Sequence, residues 1–211
     1  GGAVDLVTRL VAERMAADLG RAFVVENKAG AGGIIATDAV AKAEPDGYTL
    51  LITTPNHTIN AALNAKLPYD TVRDFTPVST LGFFDIAVVT AADSKYKTLA
   101  ELLAYARAHP GQLNVGSINI GSTQNLAAEL FKAHAGAELQ IVPFNGTPAV
   151  VNALRGGQID AAVEIVAPLM GQIRGGALRA LAVTSEQRSA LLPDVPTTRE
   201  AGLPGYLASS W

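Results

Sequence analysis

Glycines, hydroxyls and side-chain amides gather at four places where the chain enters a helix: Gly1-Gly2, Thr53 to Thr58, Ser117 to Thr123 and Asn145 to Thr147. These residue types leave backbone N–H groups and short polar side chains free to face a ligand. No Asp, Glu, Lys or Arg occurs from Gly47 to Ala65, from Pro110 to Ala128, or from Leu139 to Leu154. Each neutral stretch holds one strand, its loop and the start of a helix. A helix N-terminus carries about half a positive charge, so a carboxylate can be held there by dipoles alone. Ser, Thr and Asn also cap helices in any α/β protein, so one junction alone carries little weight. The repetition points to a shared small-molecule site beyond the carboxyl ends of the strands.

Most enzyme chemistries lack their residues. With no cysteine there is no thiolate nucleophile, thiolate zinc site or disulfide framework. Gly116-Ser117 and Gly121-Ser122 do not stand in a G-x-S-x-G elbow. Gly30-Ala31-Gly32-Gly33 lies between a strand-like and a helix-like segment, but the third glycine of a dinucleotide fingerprint falls on Ile35, and no G-K-[ST] follows. A glycine turn is the simpler reading. Of the three histidines, His109 precedes Pro110 and His134 ends a helix, which leaves His57 as the one in a candidate loop. No metal cluster and no cofactor are expected. Glu164 stands out as a carboxylate on an otherwise apolar strand. It is either an edge residue turned to solvent or a site residue that faces the far end of a bound acid and disfavours a second charge there.

The elements that carry these junctions alternate between strand and helix, which predicts an α/β fold with mostly parallel sheets. Val4, Val7, Val11, Met15 and Leu19 mark a helix face ended by Gly20. Strands are predicted over 23–26 and 48–54, with one or two more within 75–90; helices are predicted over 34–43 and toward Leu63. A second series follows. Thr98 and Glu101 form a capping box before a helix to Ala108, and strands are predicted over 113–118, 139–144, 160–166 and 178–184. Helices lie between them over 124–135, from Thr147 as a cap to Gly156-Gly157, and over 168–174. Residues 192–206 form a Pro- and Gly-rich connection. We place lobe I at 1–90, lobe II at 91–205 and the start of a return segment at 206–211.

The 211 residues suffice for one large α/β domain or two lobes. A hydrophobic fraction of 49%, a charged fraction of 17% and a net charge of −3 exclude disorder, coiled coil and a basic nucleic-acid footprint. No run of about 20 apolar residues is present. The opening on Gly1-Gly2 and the stop at Trp211 give the expectation of an excerpt from a longer protein, truncated at both ends and without its signal peptide.

Several ungapped blocks carry a family resemblance. Gly1-Gly2-Ala-Val-Asp5, Val25-Glu-Asn27-Lys-Ala-Gly30-Ala-Gly32-Gly33 and Glu44-Pro-Asp-Gly-Tyr48 come first. Asn114-Val-Gly-Ser117 with Gly121-Ser122, Gly156-Gly157-Gln158-Ile-Asp160, Leu178 to Thr184, and Leu192-Pro-Asp-Val-Pro196-Thr with Glu200-Ala-Gly202 follow in order. Over essentially its whole length the chain resembles the Bug (TctC-like) extracytoplasmic solute receptors of tripartite tricarboxylate transporters. The resemblance implies a type II periplasmic-binding-protein fold, with two α/β lobes around a cleft that closes on its ligand. It also implies a di- or tricarboxylic or aromatic acid held by main-chain amides, a periplasmic location, a monomeric receptor and membrane transporter subunits as partners, with no enzymatic role. Carried over by position, the ligand residues are Gly1, Gly2, Thr53, Thr54, Asn56 and His57 in the first lobe. In the second they are Ser117, Asn119, Gly121, Ser122, Thr123, Gly146, Thr147 and Glu164. Glu164 stands where many members look to have Asp.

Two other functions compete. An α/β hydrolase would need a base within reach of Ser117 or Ser122, and only His57 could supply it. A regulatory effector domain of the LysR type would need a helix-turn-helix segment upstream.

Overall fold

Ile86 to Thr90 are wholly buried, a run that requires neighbours on both edges and both faces. They form the middle of strand β1 (Phe84–Ala91). In the computed structural model, which describes residues 3–211, this strand is an inner strand of an open sheet. Residues up to Gly82 make one compact unit and Phe83–Ser210 a second.

The second unit is a mixed α/β layer structure. Its helices are α4 (Leu99–Ala108), α5 (Thr123–Ala135), α6 (Thr147–Arg155) and α7 (Val166–Arg174). The remaining strands are β2 (Leu113–Ile118), β3 (Leu139–Phe144), β4 (Ala161–Ile165), β5 (Leu178–Val183) and the short β6 (Ser209–Ser210). Their order is β3-β2-β4-β1-β5, with β6 on β1. β2 is parallel to β3 and β4, while β1 is antiparallel to β4 and β5. Residues 84–90, which the sequence reading groups with those before them, thus belong to the sheet of the second unit. Their buried side chains are satisfied only between two other strands.

Both faces of the sheet are covered. On one, Leu102, Leu103 and Ala106 of α4 and Ala128 and Phe131 of α5 pack against Ile86, Val88, Val115 and Val163. On the other, Val150 and Leu154 of α6 and Val166 and Leu169 of α7 pack against Ala87, Val89 and Ala162. The predicted capping box forms: Thr98 Oγ1 accepts from the Glu101 N–H and the Glu101 carboxylate accepts from the Thr98 N–H. Residues 192–206 carry no helix or strand and are held by side chains, among them Thr198, whose hydroxyl donates to the Tyr206 carbonyl at 2.6 Å.

The first unit holds α1 (Ala3–Leu19), α2 (Ile34–Ala41) and α3 (Asn56–Leu63). Gly30 to Gly33 fold into a single tight turn ahead of α2, with Gly30 at φ 130° and Gly33 at φ 93°. The positive φ of Gly30 is one that residues with a side chain rarely adopt, so the backbone conformation favours glycine there. Segments 23–26 and 48–54 are not strands. Val24 and Tyr48 are 86% and 90% exposed. An apolar alternation becomes a strand only where another strand accepts its backbone groups, and the first unit offers none among the described residues.

Leu102 is fully buried in the α4 layer. Leu102→Ala should lower the unfolding free energy by about 3 kcal/mol, the usual result of emptying a leucine site, as measured by urea denaturation.

Candidate functional site

Three parallel strands of the second unit end side by side. Ile118 of β2 is in register with Phe144 of β3, and β4 adjoins β2 on its other edge. The loops beyond are tied together: the Asn119 N–H and the Gly146 N–H both donate to the Phe144 carbonyl at 3.0 Å. This is the carboxyl edge of the sheet, where α5 and α6 begin.

The start of α5 is built by its own polar residues. Ser122 is the N-cap, its hydroxyl accepting from the Asn125 N–H at 3.1 Å and donating to the Ile118 carbonyl at 3.1 Å. Asn125 Oδ1 accepts from the Gly121 N–H, and Nδ2 donates to the buried Ser117 hydroxyl at 3.2 Å. The Ser117 and Ser122 hydroxyls are therefore engaged within the loop. Ser122 serves only the third N–H of α5, leaving those of Thr123 and Gln124 for another acceptor. Asn119 is exposed and Thr123 half-buried at the same rim.

α6 begins differently from expectation. Its N-cap is Gly146, at φ 91°, and no side chain caps it. Thr147 is the first helical residue, and its hydroxyl turns inward to donate to Glu164 Oε2 at 3.1 Å. Pro148 has no N–H, and the Ala149 and Val150 N–H groups reach the Gly146 carbonyl. The Thr147 N–H is left over. Together the two helix starts present three main-chain donors and no cationic side chain.

Glu164 joins these starts. It lies on β4 opposite Ala87 and is wholly buried, so it is not an edge residue in solvent. Oε2 accepts from Thr147 of α6 and, at 3.5 Å, from Gln124 Nε2 of α5. Oε1 is buried without a partner. The carboxylate thus lies between the starts of α5 and α6, in contact with both. Desolvation pushes its pKa up from 4.5 to about 7, against the hydrogen bonds from Thr147, Gln124 and the Ile165 backbone.

In the first unit, Thr53, Thr54 and Asn56 are half-buried at the start of α3, and the Thr54 carbonyl accepts from the His57 N–H at 2.9 Å. The His57 ring packs edge-on against Phe75, with centroids 4.9 Å apart, and parallel to Tyr69. Its Nε2 lies 3.0 Å from the Thr71 carbonyl and so carries the proton it donates. His57 fastens segment 69–75 to α3, and Nδ1 is buried. Its ring is committed to that packing rather than to a serine. Gly1 and Gly2 lie outside the described residues. Among the described residues no group of three or more His, Asp or Glu side chains could hold a metal ion, and no helix is long and apolar enough to cross a membrane.

Gln124 and Asn125 were not among the expected site residues. Their one sequence signal is a pair of amides in the first turn of a helix whose next positions, Ala127 and Ala128, are core.

The family described as tripartite tricarboxylate transporter family receptor matches residues 7–211. The chain belongs to this family. BugT of Bordetella pertussis is 39% identical over 214 residues, covering 100% of this chain and 65% of BugT. The chain spans 63% and 65% of the length of the two curated relatives that it matches at 39% identity. Among solved structures, R. palustris Rpa4515 with adipate is 35% identical with a TM-score of 0.88, covering 100% of this chain and 71% of that one. MatC (Rpa3494) from Rhodopseudomonas palustris with bound malate is 35% identical with a TM-score of 0.83, covering 100% and 72%. This is a family of solute receptors, not of enzymes.

In this Bug-type chain, Glu164 binds a proton in the folded state that the unfolded chain has already released between about pH 4.5 and about 7. Its contribution to stability is full below that window and lost as pH rises through it. Glu164→Gln should therefore gain on the parent protein across the window, by up to about 3 kcal/mol, and level off above it. Urea unfolding of both proteins at several pH values measures the gap.

Proposed function

We propose that this chain is a periplasmic solute receptor that captures a small organic carboxylate and delivers it to a tripartite tricarboxylate-type membrane transporter, acting as a monomer. One observation carries the reading. The N–H groups of Thr123, Gln124 and Thr147 are left over at neighbouring strand ends, where no Lys or Arg competes for an anion. Free N–H groups at helix starts, with their partial positive charge, suit a carboxylate. Family membership supports a solute of this class, as do the acids bound to two relatives, adipate and malate. A di- or tricarboxylic acid fits the reading, and an aromatic acid is the alternative ligand.

A hydrolase is disfavoured by the same geometry. The Ser117 and Ser122 hydroxyls bond to Asn125 and to main-chain carbonyls, and neither has a base as a partner.

The test is a thermal-shift screen of aliphatic di- and tricarboxylates and aromatic acids, followed by titration calorimetry of the hits. One acid should bind at 1:1 stoichiometry, in metal-free buffer. Ser122→Ala should weaken it by roughly 1 kcal/mol, because the anchor is the backbone and the hydroxyl only shapes the loop. Complete loss of binding in Ser122→Ala would make the hydroxyl the anchor instead.

A further inference from the structure

The two helix starts already hold an anion. Glu164 Oε2 receives Thr147 of α6 and Gln124 of α5, so one buried carboxylate stands where the positive ends of two helices meet. A ligand carboxylate on the Thr123, Gln124 and Thr147 N–H groups draws on the same two helix ends. Two carboxylates at close range both stay ionised only at a cost, and that cost grows where one of them is buried away from water, as Glu164 is.

No cation offsets this pair. β4 has no other titratable residue and β2 has none. On β1, the neighbour of β4, Asp85 stands opposite Ser209 of β6 and accepts from the Ser189 hydroxyl. α5 carries Glu129, Lys132 and His134, all exposed; α6 and α7 end on the exposed Arg155 and Arg174. None of these charges acts on the Glu164 proton, whose balance is set by burial and three hydrogen bonds.

From this arrangement we infer that Glu164 is the proton-linked positioning residue of the anion site: binding of a carboxylate drives a proton from solvent onto its unpartnered Oε1. The inference rests on the proposed carboxylate-receptor reading. Neutral Glu164 still accepts from Thr147 and Gln124 through Oε2, so the helix starts stay in place while the negative charge of the occupied site falls by one. The group is poised for this, since burial already holds its pKa up at about 7. Capture is then favoured at acid pH and weakened in alkali. The sign follows from linkage: a ligand that raises the affinity for a proton binds more weakly as that proton is withdrawn.

Titration calorimetry with adipate and with malate separates the outcomes. At about pH 6.5 and about pH 8.5 both acids are fully ionised, so any pH dependence belongs to the protein. Affinity should fall about tenfold across that range, and at neutral pH about half a proton should be taken up per ligand, read from two buffers of different ionisation enthalpy. Glu164→Gln, which cannot titrate, should bind with flat affinity and no uptake. A flat profile without uptake in the parent protein overturns the inference and leaves the receptor reading standing; this arm needs no variant. Parallel weakening and equal uptake in Glu164→Gln also overturns it, since another group would then be the acceptor. Failure of both acids to bind at either pH overturns the receptor reading for aliphatic diacids, and the inference falls with it.

Discussion

Glu164 has one oxygen shared by two helices and one oxygen with no partner, and neither reaches water. A buried carboxylate is costly, and the hydrogen bonds from Thr147 and Gln124 offset only part of that cost. The arrangement fixes where α5 and α6 begin relative to β4, and hence where their free N–H groups lie. It also limits the chemistry of the edge. With an acidic group beneath it and no basic side chain beside it, the site can attract an anion only through helix dipoles and main-chain donors.

The rest of the second unit supports this edge. β2, β3 and β4 run parallel, so their carboxyl ends coincide, and the Phe144 carbonyl ties the two following loops together. Ser122 and Asn125 stitch the 119–122 loop to itself and to Ser117 beneath. The Ser117, Ser122 and Asn125 side chains thereby shape the loop whose backbone leads into α5. A rigid loop with its donors already aimed loses little entropy when a ligand arrives.

Much of this was legible in the sequence, and the gaps have physical causes. The charge-free stretches mark the correct strand–helix junctions in the second unit, because a dipole-lined edge excludes charged residues over a whole loop. The capping box at Thr98 and the stop at Gly156 are local, and local rules find them. Thr147 shows where such rules end. Its type and position suit a cap, but a buried carboxylate 17 residues later takes its hydroxyl instead. Gln124 was missed for the same reason, since its partner Glu164 lies 40 residues away, and Asn125 because its amide turns back onto the preceding loop and strand. Segments 23–26 and 48–54 have strand composition without a strand to pair with, and composition cannot supply the partner. Glu164 was singled out as a carboxylate on an apolar strand, yet only the fold shows that it lies between two helix starts.

The central claim is that a carboxylate is held by main-chain N–H groups at the carboxyl edge of β2, β3 and β4. Amide chemical shifts followed by NMR during titration with a bound organic acid test it most directly. The account predicts that the Thr123, Gln124 and Thr147 amide protons move furthest downfield, as hydrogen bonds to an anion form. Unmoved resonances at these three residues, with the large shifts confined elsewhere in the chain, would contradict it.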